Sequence, residues 1–340
     1  MTYKDAGVDI DEAAKVVKRV KKLAERTRKK GLISGIGGFG GLFKIDKEKF
    51  EEPVLVSSID GVGTKLKVAV MAGRHDTVGM DIVNHCVNDI VVQGAQPLFF
   101  MDYVGMGKLE AGVFNQIMEG IVKACEAAEC VLLGGETAEM PGLYSDGEYD
   151  LVGCITGIVD KKNIIDGKDI KPRDKLIGLR STGLHTNGYS LARKVLFVKG
   201  RFAVNDYVPE LGETIGEELL VPHKSYGPLI LNLLKKFKIK GMAHITGGGF
   251  MDNIPRVLPE GCFARIHKNS WEINPIFKLL SSLGNIDEME MYKTFNCGIG
   301  MVLVVEEGKA QDIVEEIEKN KGEGFIIGEV LKGNKDVKFA

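Results

Sequence analysis

The segment DTVGMDIVNHCVNDIVVQGAQP, residues 76–97, carries an unusual set of polar side chains. Wound at about 100° per residue, it puts Asp81, Asn84, His85, Asn88 and Asp89 on one side and Ile82, Val83, Cys86, Val87, Ile90 and Val91 on the other. A solvated helix face favours Lys, Glu and Gln, which keep rotamer freedom and helix propensity, so short acids and amides are poor replacements there. Oxygen ligands on one stripe suit a hard cation such as magnesium, or a polar ligand. The alternative is a stripe satisfied internally against another polar element.

Two further acids stand where apolar strands end. In SSIDGVGTKLKVAV, Asp60 precedes a glycine turn. A carboxylate there can project from a sheet edge and hold an ion that bridges phosphate oxygens. An aspartate that merely opens a turn is the plain alternative. The same stretch is not a Walker A loop, because Thr64 precedes Lys65 and the spacing from Gly61 to Gly63 is too short. In LLGGETAEMPG a second apolar run enters Gly134, Gly135 and Glu136, with Glu139 following. Two strand-end acids and an acidic helix stripe favour a metal site more than any one of them does.

Three other segments could bind anions. In ISGIGGFGG, Gly35, Gly37 and Gly40 match G-x-G-x-x-G, but no strand precedes them, so a dinucleotide fold is not indicated. A flap offering backbone N–H groups to phosphate, or a glycine hinge, fits better. HITGGGF, with Thr246, Gly247, Gly248 and Gly249 ahead of a helix, reads as an anion nest or a tight strand-to-helix turn. STGLHTNGYSLARK sets His185, Thr186 and Asn187 at a helix entrance, with Thr186 or Asn187 as a cap; His185 is then a phosphate ligand or base, or simply exposed. His75, His223 and His267 have no such setting and read as surface or packing residues. Asn296 and Cys297 precede a strand, and without a partner base Cys297 reads as a buried thiol.

Strands and helices alternate around these segments. A first helix capped by Asp9 or Asp11 carries Ala13, Val16, Val17, Val20, Leu23 and Ala24 at helical spacing and stops at Gly31, with lysine and arginine outside. Strands follow at PVLVSSID, PLFFMDYV, CVLLGG and YDLVGCITGIVD. After the charged KKNIIDGKDIKPRD, a plausible linker, come KLIGLRS, the strand entering HITGGGF, CFARIH, GIGMVLVV and a last strand GFIIGEV. Helices are predicted near 188–198 and 224–237 and from Asn274. The pattern is α/β or α+β layering in two mixed domains.

A chain of 340 residues accommodates two domains with their own cores. A net charge of −2 argues against a nucleic-acid partner. The six scattered cysteines contain no C-x-x-C pair and indicate reduced core thiols. Neither a signal-peptide core nor a run of roughly 18 apolar residues is present, so no membrane and a cytoplasmic setting are expected.

Taken together, YKDAGVDI, GGFGGLF, SSIDGVGTKLKVA, DTVGMDIVNHCVNDIVVQGAQPLFFMDY, LGGETAEMPGLY, HTNGYSLARK, HITGGGFMDNIPRVLP and EMYKTFNCGIGM resemble, in order over about residues 3–305, the aminoimidazole ribonucleotide (AIR) synthetase family, the phosphoribosylformylglycinamidine cyclo-ligases of de novo purine synthesis. Thr186 stands where many relatives have serine, which preserves a hydroxyl. The resemblance implies an α+β (α/β layered) AIR synthetase-like fold. Residues 1–168 would bind ATP and Mg2+ and pair through their sheet into a homodimer, and residues 169–340 would form the second domain. The implied reaction closes formylglycinamidine ribonucleotide to 5-aminoimidazole ribonucleotide with release of ADP and phosphate. It proceeds by phosphorylation of the formamide oxygen and attack by the amidine nitrogen.

The nucleotide is then expected over the flap glycines Gly37, Gly38, Gly40 and Gly41, the turn Asp60, Gly61, Gly63, Thr64 and Lys65, Asp81 and Asn84 of the stripe, and Gly134, Gly135 and Glu136. Asp60, Asp89 and Glu136 would hold the metal, and Lys65 would steady phosphate. The substrate is expected at His185, Thr186, Asn187, residues 246–249 and Asn296, with Lys65, Asp89 and His185 closest to the chemistry. Selenophosphate synthetase, thiamine-monophosphate kinase and formylglycinamidine ribonucleotide synthetase share similar acid motifs and are the rival readings, with a non-catalytic nucleotide sensor as the rival from another class.

Overall fold

The computed structural model describes residues 10–340, with side chains from residue 14 onward. Asp9 and Asp11, the expected caps of the first helix, therefore lie outside what is described of side chains. The chain divides into two compact units, one holding the described residues up to Ile90 with Ala95–Lys162, the other Val91–Gly94 with Asn163–Ala340.

In the first unit the order is α1 (Ile10–Ala24), β1 (Pro53–Gly61), α2 (Lys65–Ala72), α3 (Asp76–Val91), β2 (Gln96–Met106), α4 (Ala111–Ala127), β3 (Val131–Glu139) and β4 (Tyr149–Asp160). The sheet order is β1-β4-β2-β3, antiparallel except for the parallel pair β2/β3. α1 ends at Ala24 in a short 3-10 turn, earlier than the expected stop at Gly31. Its apolar face buries Val16, Val20 and Ala24, while Val17 is exposed.

Ile82, Val83, Cys86, Val87 and Ile90 of α3 and Ile117 and Ile121 of α4 are wholly buried. The two helices cross with their backbones in near contact. A Cβ at Gly79 would lie 2.1 Å from the Ile117 carbonyl oxygen, and one at Gly120 would lie 2.0 Å from that of Asp76. β3 runs through Gly134 and Gly135 to Glu139, so the glycines do not end the strand as expected. Gly135 is needed in the strand because Asp102 on β2 sits against it, and a Cβ there would lie 2.5 Å from Asp102 Oδ1.

The second unit contains β5 (Lys175–Arg180), α5 (Tyr189–Arg193), the ribbon β6 (Tyr207–Val208) and β7 (Glu213–Thr214), α6 (Ile215–Leu220), α7 (Gly227–Leu234), β8 (Gly241–His244), α8 (Gly249–Asn253), β9 (Cys262–Ile266), α9 (Pro275–Gly284), α10 (Glu288–Thr294), β10 (Ile299–Val305), α11 (Ala310–Lys319), β11 (Gly324–Lys332) and β12 (Val337–Phe339). Its sheet runs β12-β9-β11-β5-β10-β8, antiparallel except for β12/β9. Ile230 and Leu233 of α7 and Ile313 and Ile317 of α11 pack on Ile177, Leu179, Met301 and Leu303 of the sheet. The expected helix at 188–198 is a five-residue α5 followed by a wider π-type turn, Lys194–Lys199. The fold is α+β in two mixed helix-sheet units, as the alternating pattern implied.

Candidate functional site

The first unit gathers its ionisable groups where β1 ends beside α3. Asp60 Oδ2 accepts from His85 Nε2 at 2.8 Å, and Asp89 Oδ2 lies 3.8 Å from the same nitrogen. The Gly61 N–H donates to Asp60 Oδ1 at 2.7 Å, and the Ser58 hydroxyl donates to Asp89 Oδ2 at 3.0 Å. Asp60 and Asp89 keep 43% and 27% of their side-chain surface, whereas His85 keeps 5%. Burial works hardest against charge on His85. The Asp60 hydrogen bond and the fields of Asp89, Asp60 and Asp81 together outweigh it, so the imidazole pKa is raised. Burial likewise opposes ionisation of Asp60, yet His85 and the Gly61 N–H hold it below the ordinary carboxylate range.

The polar stripe of α3 is not a solvated face. Asp81 and Asn88 are wholly buried and Asn84 and His85 nearly so, leaving Asp89 as the residue of the stripe that reaches the surface. Lys65 departs from its expected place at a phosphate. Its Nζ lies 2.8 Å from Asp81 Oδ2 and neither side chain has any exposed surface. Burial depresses the lysine pKa against the pull of Asp81. This pair ties the first turn of α2 to α3 and leaves the ammonium without exposed surface.

Glu136 does not join Asp60 and Asp89 within the chain. Asp60 faces Gly153, Gly153 faces Asp102 and Asp102 faces Gly135, a row across all four strands. The outer members are three strand spacings apart, roughly 14 Å. Glu136, one residue beyond that row and paired with Tyr103, points to the other face of the sheet. It is exposed there. Of the three carboxylates expected at a metal, Asp60 and Asp89 are the two that stand together within the chain. Their acceptor-only oxygens, converging beside one imidazole and partly exposed, fit a hard cation.

The flap is a loop closed at its base by the Leu32 and Phe43 bridge and by the Ser34 hydroxyl, which accepts from the Leu42 N–H at 2.8 Å. Phe39 at its tip is fully exposed. Gly35 and Gly40 have open space where a side chain would go, whereas a Cβ at Gly41 would meet Leu133 at 2.3 Å. Gly63, at φ +72°, turns the chain into α2 behind Thr64.

In the second unit the expected substrate residues do come together. His185 has φ +62° and is buried, not exposed. Its Nε2 accepts from the Thr182 N–H at 3.3 Å. Gly300 on β10 makes room for it, since a Cβ there would lie 2.5 Å from His185 Cε1. The cap of α5 is Gly188, at φ +77°, and not Thr186 or Asn187. Asn187 instead lies beside Gly247, with a buried Nδ2 that has no hydrogen-bond partner among the described residues.

Residues 246–249 form a tight turn into the five-residue α8. Gly248 and Gly249 take φ +87° and +57°, and Asn253 Nδ2 donates to the carbonyls of Gly247 and Gly249 at 3.2 and 2.8 Å. Asn296 is a buttress behind the His185 loop. Its Nδ2 donates to the Gly183 carbonyl, and its Oδ1 accepts from the Ser181 hydroxyl and the Gly298 N–H. Burial pushes the Cys297 thiol up to about 12, which removes it as a nucleophile.

Sequence reasoning missed His223, His244 and Asn253. His244 ends β8 just ahead of the glycine turn, the same strand-end signal that singled out Asp60. His223 had no local signal, yet it is wholly buried and stacks on His185 with ring centroids 4.1 Å apart. His75, by contrast, is a packing residue on the Tyr149 hydroxyl, and His267 is half exposed near Glu329.

Residues 44–159 match the family described as AIR synthase related protein, N-terminal domain, and residues 171–339 match the C-terminal domain of the same description. The phosphoribosylformylglycinamidine cyclo-ligase of Syntrophotalea carbinolica is 56% identical over 332 residues, 98% of this chain and 95% of that protein. The enzyme of that name from Caldanaerobacter subterraneus subsp. tengcongensis is 53% identical over 333 residues, 98% of each. Among solved structures, thiamine-monophosphate kinase from Stenotrophomonas maltophilia K279a superposes with a TM-score of 0.71 over 95% of both chains at 15% identity. Hydrogenase maturation protein HypE in complex with ATP gives 0.68 over 99% of this chain and 94% of that one, at 13% identity. These two likenesses are of fold. No helix among the described residues is long and apolar enough to cross a membrane.

Proposed function

This chain belongs to the AIR synthase related family, and we propose that it closes formylglycinamidine ribonucleotide to 5-aminoimidazole ribonucleotide, using ATP and releasing ADP and phosphate. The observation that carries the assignment is identity above one half with cyclo-ligases over 98% of the chain. A cytoplasmic setting accompanies it.

The formamide oxygen is a poor leaving group, so its phosphorylation must precede ring closure. Asp60 and Asp89 are the residues we assign to magnesium, which when bound neutralises triphosphate charge. Ser58 and the Gly61 N–H hold the two carboxylates in place, and the buried Lys65–Asp81 pair fixes α2 against α3 behind them. The flap glycines offer backbone N–H groups to the nucleotide.

In the second unit Thr186, Asn187 and the turn at 246–249 receive the phosphate-bearing substrate, with the unpaired Nδ2 of Asn187 as one donor. In ring closure the amidine nitrogen bonds to the formyl carbon and phosphate leaves with the electrons of the broken C–O bond. The nitrogen sheds a proton, which the departing phosphate can accept. ADP release measured with and without formylglycinamidine ribonucleotide, across a magnesium titration, tests the reading. The expected result is turnover that needs both. ATP binding with no substrate-dependent ADP release would make the protein a sensor and overturn it.

A further inference from the structure

The chain that leaves α4 turns back on itself around two cysteines. The Cys130 N–H donates to the Cys125 carbonyl at 2.9 Å, and the Glu129 N–H donates to that of Glu126 at 3.1 Å. Glu129 takes φ +53°. This nested pair of bonds about a left-handed residue is a Schellman ending, which sets the side chains of its two outermost positions against each other. Here those positions are Cys125 and Cys130. With the outer bond at 2.9 Å, their Cα atoms stand no more than about 6.8 Å apart, inside the roughly 4.4–6.8 Å that a disulfide spans. The two thiols are hydrogen-bonded to each other, and both are buried. Cys86 and Cys297, by contrast, each donate to a backbone carbonyl at 3.5 Å.

We propose that Cys125 and Cys130 form a redox site, a dithiol that a low-molecular-weight disulfide closes to a bridge across the end of α4, guarded by residues 26–29. The guard is a short strap after α1. Arg26 donates to Glu119 and Glu126 of α4 at 2.8 and 2.6 Å, Lys29 donates to the Glu129 carbonyl and lies 3.2 Å from its carboxylate, and the Thr27 hydroxyl accepts from the Leu132 N–H at 3.0 Å. Helix end, cysteine turn and the start of β3 are thus held by one segment. Its ion pairs are exposed, so each holds weakly and salt loosens them. Burial pushes the Cys125 thiol up, and Cys130 adds to the effect, so the thiolate that exchange needs is scarce while the turn stays covered.

The step is two successive exchanges. One cysteine, as thiolate, attacks a sulfur of the reagent, oxidised glutathione for example, and expels the first glutathione thiolate. The other cysteine then attacks the protein sulfur of the mixed disulfide and expels the second. The dithiol loses two electrons, the reagent is reduced to two thiols, and the two cysteine protons end on them. Closure fastens the end of α4 to the residue that precedes β3, the strand of Gly135 and Glu136.

The full-length protein is incubated with oxidised glutathione, quenched in acid, alkylated and digested, and its linked peptides are mapped by mass spectrometry. A second sample is unfolded in urea and refolded into the same reagent, which removes access as a limit. A Cys125–Cys130 link in both samples, reversed by dithiothreitol, is expected. Cysteines 125 and 130 that end alkylated, singly glutathionylated or joined to other cysteines overturn the proposal, and a link confined to the refolded sample refutes closure in the folded protein. Arg26→Ala combined with Lys29→Ala is expected to speed closure about fivefold. An unchanged rate would remove the strap as the guard. None of these readouts involves turnover, so they stand apart from the assigned reaction.

Discussion

Lys65 and Asp81 are enclosed together, and a buried ammonium is tolerated because a carboxylate sits against it. Lys65→Met strands the Asp81 charge, and a loss of about 3–5 kcal/mol of unfolding free energy is expected. Lys65→Met combined with Asp81→Leu should recover most of it. If urea unfolding shows Lys65→Met as stable as the wild type while turnover collapses, the lysine acts on phosphate after all. Asp102 is the opposite case, a buried carboxyl whose pKa burial raises from 3.8 to about 7, opposed by a backbone N–H. Unfolded, it loses its proton near its ordinary value. Between there and neutrality the folded protein binds the extra proton, so stability falls as pH rises through the window and the whole cost is present above it. Roughly three pH units correspond to about 4 kcal/mol. Asp102→Asn should flatten that slope and gain stability at pH 8 relative to pH 4 in paired thermal melts. Parallel pH profiles for the two proteins would show that Asp102 ionises normally.

The crossing of α3 and α4 governs where the site's acids stand. Gly79→Ala would drive a Cβ to 2.1 Å from the Ile117 carbonyl, and neither backbone can yield without moving the helix that carries His85 and Asp89. A loss of about 1–3 kcal/mol with lowered turnover is expected. Gly112→Ala, exposed in α4 with nothing within 4 Å, should instead stabilise by up to ~1 kcal/mol. Equal effects of the two changes in thermal unfolding would show that the close crossing does not matter. Helical periodicity made α3 legible in the sequence, with both of its faces. It could not say that the polar face is covered too, because spacing tells which residues share a side and not what packs on them. Gly134 and Gly135 read as a strand end since the reason for glycine at 135, Asp102 on the neighbouring strand, is a long-range contact. His223 was invisible for the same reason, its partners lying 37 and 21 residues away. β12, at three residues, is too short for any alternation to show.

At the scale of the whole molecule, the first unit's sheet has helices on one face and apolar side chains in water on the other. Leu55, Ile59 and Met101 are 55%, 69% and 37% exposed, and β1, which bears two of them, is an edge strand. Alternation along a half-buried strand ordinarily puts polar residues at such positions. Apolar residues there, on β1 and β2 of one face, are what a contact surface requires. A second copy of the chain is the occupant we infer, as the AIR synthetase resemblance implied. Glu136 projects from that same face, so a partner seated there would meet the carboxylate that its own chain's Asp60 cannot reach. Ile59→Lys puts a charge into the middle of the face and leaves the helix-covered side untouched. Sedimentation is expected to show a single dimeric species for the wild type and a monomer for Ile59→Lys, with melting of the isolated unit's core little changed. A wild-type chain that stays monomeric and fully active at every concentration would return these side chains to the ordinary apolar share of a protein surface.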